Sequence, residues 1–65
     1  MTTQRLELGF RAETAYDAHR QAREWAGMKG SVYRLRTIAS VRRNPSHDVP
    51  HVAPAWLVTV VVVPR

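Results

Sequence analysis

The sequence contains no cysteine among its 65 residues. This excludes a disulfide framework and any metal site built on thiolates, and it suits a reducing compartment. No stretch approaches the roughly 20 apolar residues of a membrane-spanning helix. The first ten residues, MTTQRLELGF, lack the charged region and the apolar region of a signal peptide. We therefore expect a cytoplasmic protein that does not enter the membrane.

Acidic residues are scarce, with five against ten basic residues, for a net charge of +5. Up to Ser31 the two signs nearly balance, because five basic residues face four acids. From Val32 onward five arginines face Asp48 alone. The second half therefore carries the positive field, which favours polyanionic partners such as nucleic acid or an acidic protein surface.

Residues 55–63, AWLVTVVVV, form an apolar run between Pro54 and Pro64. As a strand they would extend over roughly 30 Å at about 3.3 Å per residue. Both faces of this strand are apolar, with Thr59 as the one polar side chain, so both faces need cover. A chain this short builds one domain, residues 1–65, with a core that is barely sufficient.

The first half predicts a strand followed by a helix. Residues 5–12, RLELGFRA, alternate polar and apolar with the period of two of a half-buried strand. Thr14 predicts the start of a helix over residues 14–28, with Asp17 at the capping-box position and Gly27 and Gly30 as stop signals. The stripe expected to face the core is mostly alanine with one tryptophan: Ala15, Ala18, Ala22, Trp25 and Ala26.

Residues 31–43, SVYRLRTIASVRR, predict a second strand because they are rich in β-branched residues. Strict alternation would place one set of side chains toward the helix: Tyr33, Leu35, Thr37, Ala39 and Val41. The other set would carry three arginines on the opposite face, together with Val32, Ile38 and Ser40. Residues 44–54 hold three prolines and predict a mobile loop without regular structure.

The resulting fold is an α+β domain of βαββ order, with a three-stranded, mainly antiparallel sheet and one helix on one face. The order leaves open whether the last strand lies at the centre or at an edge of the sheet. The element order and the two long later strands resemble the architecture of dodecins. That resemblance implies a small unit that is stable as an oligomer.

Self-association is also expected from residues 55–63, since one helix covers one face of the sheet. The uncovered face would be either the set Trp56, Val58, Val60 and Val62 or the three residues Leu57, Val61 and Val63, and a second copy could bury it. We therefore expect a homodimer or a higher homo-oligomer with these three residues in its interface.

Two groupings of polar residues invite a chemical interpretation. His47 and His51 are four residues apart, but Pro50 lies between them on a loop, so we expect exposed histidines and no metal site. Ser46, His47 and Asp48 are consecutive, whereas catalytic triads assemble from residues distant in sequence. We therefore expect no enzyme, no catalytic residue and no cofactor.

The arginines of the second strand form the cluster that points to a function. Arg34, Arg36, Arg42 and Arg43, with Tyr33 beside them, predict a surface that contacts nucleic-acid phosphates. No helix-turn-helix, zinc-finger or RNA-recognition signature accompanies them, so DNA and RNA are both open. The alternative is a protein-interaction module, such as a phage or bacterial accessory protein that binds and modulates a protein partner.

Overall fold

A computed structural model describes residues 2–29 and 32–65. Along the chain lie β1 (Gln4–Arg11), α1 (Ala15–Met28), β2 (Tyr33–Arg43), a 3-10 turn (Pro45–His47) and β3 (Ala55–Pro64). The predicted α+β class and βαββ order are confirmed. Two details of the prediction, the strand start at Ser31 and the stop signal at Gly30, lie outside the described residues.

The apolar strand β3 occupies the centre of the sheet, which has the order β1-β3-β2. It pairs antiparallel with β1 on one side and with β2 on the other. β1 and β2 therefore run parallel to each other, separated by β3. The central position suits β3 because both of its edges are then hydrogen-bonded and both of its faces are flanked by neighbouring side chains.

The helix begins where the sequence predicts. Thr14 is the N-cap, and its hydroxyl accepts a hydrogen bond from the backbone N–H of Asp17 at 3.1 Å. Ala18, Ala22 and Ala26 are buried, which lets the helix axis lie close to the sheet. Ala15, which the sequence placed in the same stripe, is exposed and lines a groove together with Val41 of β2.

The predicted alternation of β2 is wrong over residues 36–39, because the pairing with β3 shifts at two places, and it resumes as predicted from Ser40. The irregularities fall between Leu35 and Thr37 and between Ile38 and Ser40. Each inserts one extra residue, as a β-bulge does, and so changes which side chains share a face. Ile38 therefore packs against the core, whereas Thr37 and Ala39, which strict alternation placed there, are exposed.

The helix-facing side of the sheet carries the core. Val58, Val60 and Val62 of β3 are fully buried and pack with the alanines of the helix. Larger side chains surround them and are partly exposed: Leu6, Leu8, Phe10, Trp25, Tyr33, Leu35, Ile38, Val41 and Trp56. The opposite side, which no helix covers in the part of the chain that the structure describes, is called the open face below.

The loop of residues 44–54 has more internal structure than the sequence suggested. It contains the 3-10 turn and a second turn in which the N–H of Val52 donates to the carbonyl of Val49. His51 occupies the left-handed region in that turn, with φ of 64°. Arg11 of β1 donates from its guanidinium to the carbonyls of Ala53 at 3.1 Å and His47 at 2.7 Å. The loop is thus tied to the end of the sheet, and its mobility stays a prediction.

We expect Arg11→Ala to speed protease cleavage of the loop about fivefold. Loss of the two hydrogen bonds would favour the open loop by about 1 kcal/mol, because both are exposed, and cleavage follows the open population. The measurement is limited proteolysis with mapping of cuts between residues 46 and 52. Arg5→Ala, on the same strand, is the matched control, and equal cleavage of both variants would contradict the tether.

Candidate nucleic-acid interface

The five residues predicted to form one surface lie on three different parts of the molecule. Arg34 and Arg42 pair with Val63 and Leu57 of β3 and lie on the open face. Arg36 is the extra residue at the first irregularity of β2, at the outer edge of the strand. The other two, Tyr33 and Arg43, lie on the helix-facing side. Of the three arginines predicted to share one face of β2, Arg34 and Arg42 do so, and Arg36 leaves it because it is the extra residue at the first irregularity.

Tyr33 is partly buried and packs against the core. Its ring stacks on Trp25 of the helix, with centroids 6.4 Å apart and planes 24° apart. Phe10 and Trp56 also pack on the helix-facing core. The Trp56 ring N–H donates to the carbonyl of Ala12 at 2.8 Å. Within the described residues, the open face therefore presents no aromatic ring on which a base could stack.

Two of the predicted arginines are neutralised within the chain. Arg42 pairs with Glu7 across the open face at 3.5 Å. Arg43 pairs with Asp48 of the loop at 2.8 Å, and its guanidinium lies 5.6 Å from the centroid of the Trp56 ring. These contacts lower the local positive potential around both side chains.

Uncompensated positive charge concentrates along the outer side of β2. Arg36 lines a groove of about 320 Å³ together with His19 and Arg23 of the helix. Arg34 and Arg65 line an adjacent shallow cleft beside Val63 and Pro64. None of these arginines takes part in an ion pair with a described residue. We call them the basic edge: Arg23, Arg34, Arg36 and Arg65.

The sequence prediction missed Arg23, although the pattern held a signal for it. His19 and Arg23 are four residues apart and therefore share one side of the helix. Because Ala22 is buried, the side of the helix that carries His19 and Arg23 lies next to the sheet. The strand order alone decides which edge of the sheet this side of the helix meets. Since β2 is the strand beneath it, Arg23 lies opposite Arg36.

The predicted oligomer interface has less exposed apolar area than expected. Val61 and Val63 retain only 9% and 6% of their surface in the single chain, and Leu57 is half-buried. The side chains of β1 and β2 that flank them, such as Arg5 and Arg34, provide this cover. Association through these three residues stays a prediction, with little apolar area left to bury.

The remaining polar groupings lie in the loop. The Ser46 hydroxyl donates to the side-chain oxygen of Asn44 at 2.8 Å and lies 3.3 Å from Nδ1 of His47. Asp48 is bound to Arg43 and accepts from the backbone N–H of Ala55 at 3.4 Å. These contacts do not arrange Ser46, His47 and Asp48 in the order of a triad. Among residues 2–29 and 32–65, no three side chains of metal-ligating type come together.

Comparison with known proteins finds no matching family model, no curated protein and no solved structure. In the described residues, no helix has the length and apolar character needed to cross a membrane.

Proposed function

We propose that this protein is a non-enzymatic nucleic-acid-binding protein and that its basic edge contacts phosphates. The observation that carries the proposal is the separation of charge in the fold. Glu7, Glu24 and Asp48 neutralise arginines elsewhere on the surface. The four arginines of the basic edge form no ion pair with a carboxylate among the described residues, and they line two neighbouring clefts beside β2.

Arginine in this setting suits the backbone of a nucleic acid. Its guanidinium binds phosphate oxygens with two parallel hydrogen bonds, and it stays charged at any pH of interest. Arg23 and Arg36 approach one groove from the helix and from the strand. A phosphate between them would receive donors from two directions.

The proposed contact is independent of sequence. Single-strand binders usually stack bases on exposed aromatic rings, and base-reading proteins insert a helix or a ribbon into a groove. Here the rings of Tyr33, Trp25 and Trp56 are partly buried on the helix-facing side. The exposed ring of Tyr16 lines a different groove, which contains none of Arg34, Arg36 and Arg65. Contacts would therefore be made to phosphates, which position a protein without reading bases.

Salt dependence tests this proposal. Fluorescence anisotropy with a labelled duplex should show log K falling with log salt by about 0.9 per phosphate contact, or about 3.6 per chain for four contacts. Affinity should then fall on the order of 100-fold between 50 and 200 mM salt. Arg34→Ala and Arg36→Ala should each reduce the slope by about one unit and weaken all sequences alike.

Arg42→Ala is the matched control for Arg34→Ala. Both arginines lie on β2 and both substitutions remove one positive charge, but Arg42 is neutralised by Glu7. We expect the control to leave the slope unchanged. An equal decrease of the slope for both variants would mean that net charge alone binds the duplex. No binding of the labelled duplex at low salt would reject the proposal.

A protein-interaction module is the second candidate function. It is favoured by a largely apolar groove of about 680 Å³ between the helix and β2, whose lining includes Ala15, Tyr16 and Val41. Tyr16 is 77% exposed and adds its ring to the apolar lining of this groove. If the duplex fails to bind, Tyr16→Ala becomes the variant with which to test protein partners.

A further inference from the structure

The outer edge of β1 is open. β1 lies at the end of the sheet order and pairs with β3 alone. Between residues 4 and 10, the described part of the chain provides no backbone hydrogen bond to β1 other than those from β3. Alternate N–H and C=O groups of this strand therefore point outward without a protein partner. Such an edge is a template for another strand.

The two edges of the sheet differ in their capacity to accept a strand. β2 is interrupted at two places and carries arginines along its length, and both features discourage strand addition. β1 pairs residue for residue with β3 from Gln4 to Arg11 without any shift. β1 therefore presents a regular, uninterrupted row of backbone groups to which another strand could pair.

The side chains of β1 add an apolar strip to this ladder. Leu6, Leu8 and Phe10 face the helix side but are half-buried, because the helix packs more closely against β2 than against β1. A partner strand with apolar residues at the same alternate positions would cover this strip. A second copy of β1 has apolar residues at the same alternate positions, because the two chains are identical.

We propose that two copies of this chain associate by antiparallel pairing of their β1 edges, with Leu6 opposite Leu6 of the second copy. Charge selects this register. It places Arg5 opposite Glu7 of the second copy and Glu7 opposite Arg5, which gives two symmetric ion pairs. A two-fold axis at Glu7 would oppose two carboxylates, and one at Leu8 would oppose Arg5 and Arg11. An axis at Gly9 would pair Glu7 with Arg11 of the second copy, but the Arg11 guanidinium already donates to the carbonyls of Ala53 and His47. Arg5 has no carboxylate partner among the described residues of its own chain, so it is available for this contact.

The pairing extends over residues 2–10 of each chain and gives one continuous six-stranded sheet. Both helices lie on the same side, and the apolar strips of the two β1 strands meet between them. The basic edges remain at the two outer ends, so the interface shares no residue with the proposed phosphate contacts. The dimer can therefore be tested without nucleic acid. The dimer proposal and the nucleic-acid proposal can each fail while the other holds.

Exchange of the two charges tests the interface. Arg5→Glu would place two pairs of carboxylates in contact, and Glu7→Arg would place two pairs of guanidinium groups in contact. Each single variant should raise the dimer dissociation constant at least about tenfold, since two attractive pairs become repulsive. The double variant R5E/E7R restores both attractions and should recover the wild-type constant. Sedimentation equilibrium up to high micromolar concentration measures all four proteins.

Two controls distinguish loss of these ion pairs from a change in net charge and from loss of the Arg42–Glu7 contact. Arg36→Glu changes the net charge as Arg5→Glu does but lies on β2, and Arg42→Gln removes the intrachain partner of Glu7. Both should leave the dissociation constant unchanged. A wild-type monomer at high micromolar concentration would overturn the proposal. So would a double variant that associates no better than the single variants.

Engineered cysteines locate the two-fold axis, because the chain contains none of its own. Directly opposed residues of an antiparallel pair have Cα atoms about 4.5–5.5 Å apart, a separation that a disulfide can bridge. Leu6→Cys should give a disulfide-linked dimer under mild oxidation. Leu57→Cys, at the centre of the open face, should remain monomeric in the same gel. Efficient linkage through position 57 with none through position 6 would overturn edge pairing in favour of association through the open face.

Discussion

Val60→Asp is expected to leave the chain unfolded. Val60 is fully buried at the centre of β3, between its partners Leu6 on β1 and Ile38 on β2. An aspartate there would lose the valine packing and bury a polar group without a partner, which costs roughly 2–7 kcal/mol. A chain of this length has a stability of about 3–10 kcal/mol at 0.05–0.15 kcal/mol per residue. The single substitution therefore removes most or all of the stability.

The neighbouring Thr59 provides a control with the same introduced charge. Thr59 lies on the open face opposite Glu7 and is half-buried, so an aspartate at this position reaches water, and its repulsion from Glu7 is offset by Arg42, which pairs with Glu7. Thr59→Asp should remain folded, with a loss of about 1 kcal/mol or less. Circular dichroism with urea titration measures both variants. A folded Val60→Asp protein, or two equally unfolded variants, would contradict the assigned faces of β3.

The sequence predicted the elements well where one local rule decides them. The alternation of residues 5–12 corresponds to β1, and the cap at Thr14 corresponds to the start of α1. The two-sided apolar run of residues 55–63 indicated a strand that needs cover on both faces. Its central place in the sheet follows from that need, but a third strand at either edge was equally compatible with the element order.

The candidate site was harder to predict because it depends on register. The first extra residue in β2 takes Arg36 out of the face that holds Arg34 and Arg42, whereas Arg43 lies on the other face by alternation alone. Nothing in a run of β-branched and basic residues marks where a bulge will fall. The pairs Arg42–Glu7 and Arg43–Asp48 depend on strand order and loop path, so their neutralisation could not be read from the sequence.

The three strands of the sheet differ in burial, regularity and charge. Its centre is a valine-rich strand that is buried on one face by alanines of the helix and on the other by the stems of flanking side chains. Its two edges have opposite characters, since β2 is irregular and basic whereas β1 is regular and carries both signs of charge. Both proposals rest on this asymmetry, with phosphate contacts proposed for the side of β2 and self-association proposed for β1.

Trp25→Ala is expected to lower the free energy of unfolding by about 3 kcal/mol. Trp25 is the one large apolar residue that the helix packs against the core, where it contacts the valine cluster and stacks on Tyr33. Truncation of a buried tryptophan costs about 3–5 kcal/mol, and its partial exposure favours the lower end of that range. Tyr16→Ala is the matched control, because Tyr16 is an aromatic residue of the same helix that is 77% exposed, and its loss should cost no more than about 0.5 kcal/mol. Urea unfolding followed by circular dichroism measures both, and equal losses would show that the helix docks through a different face.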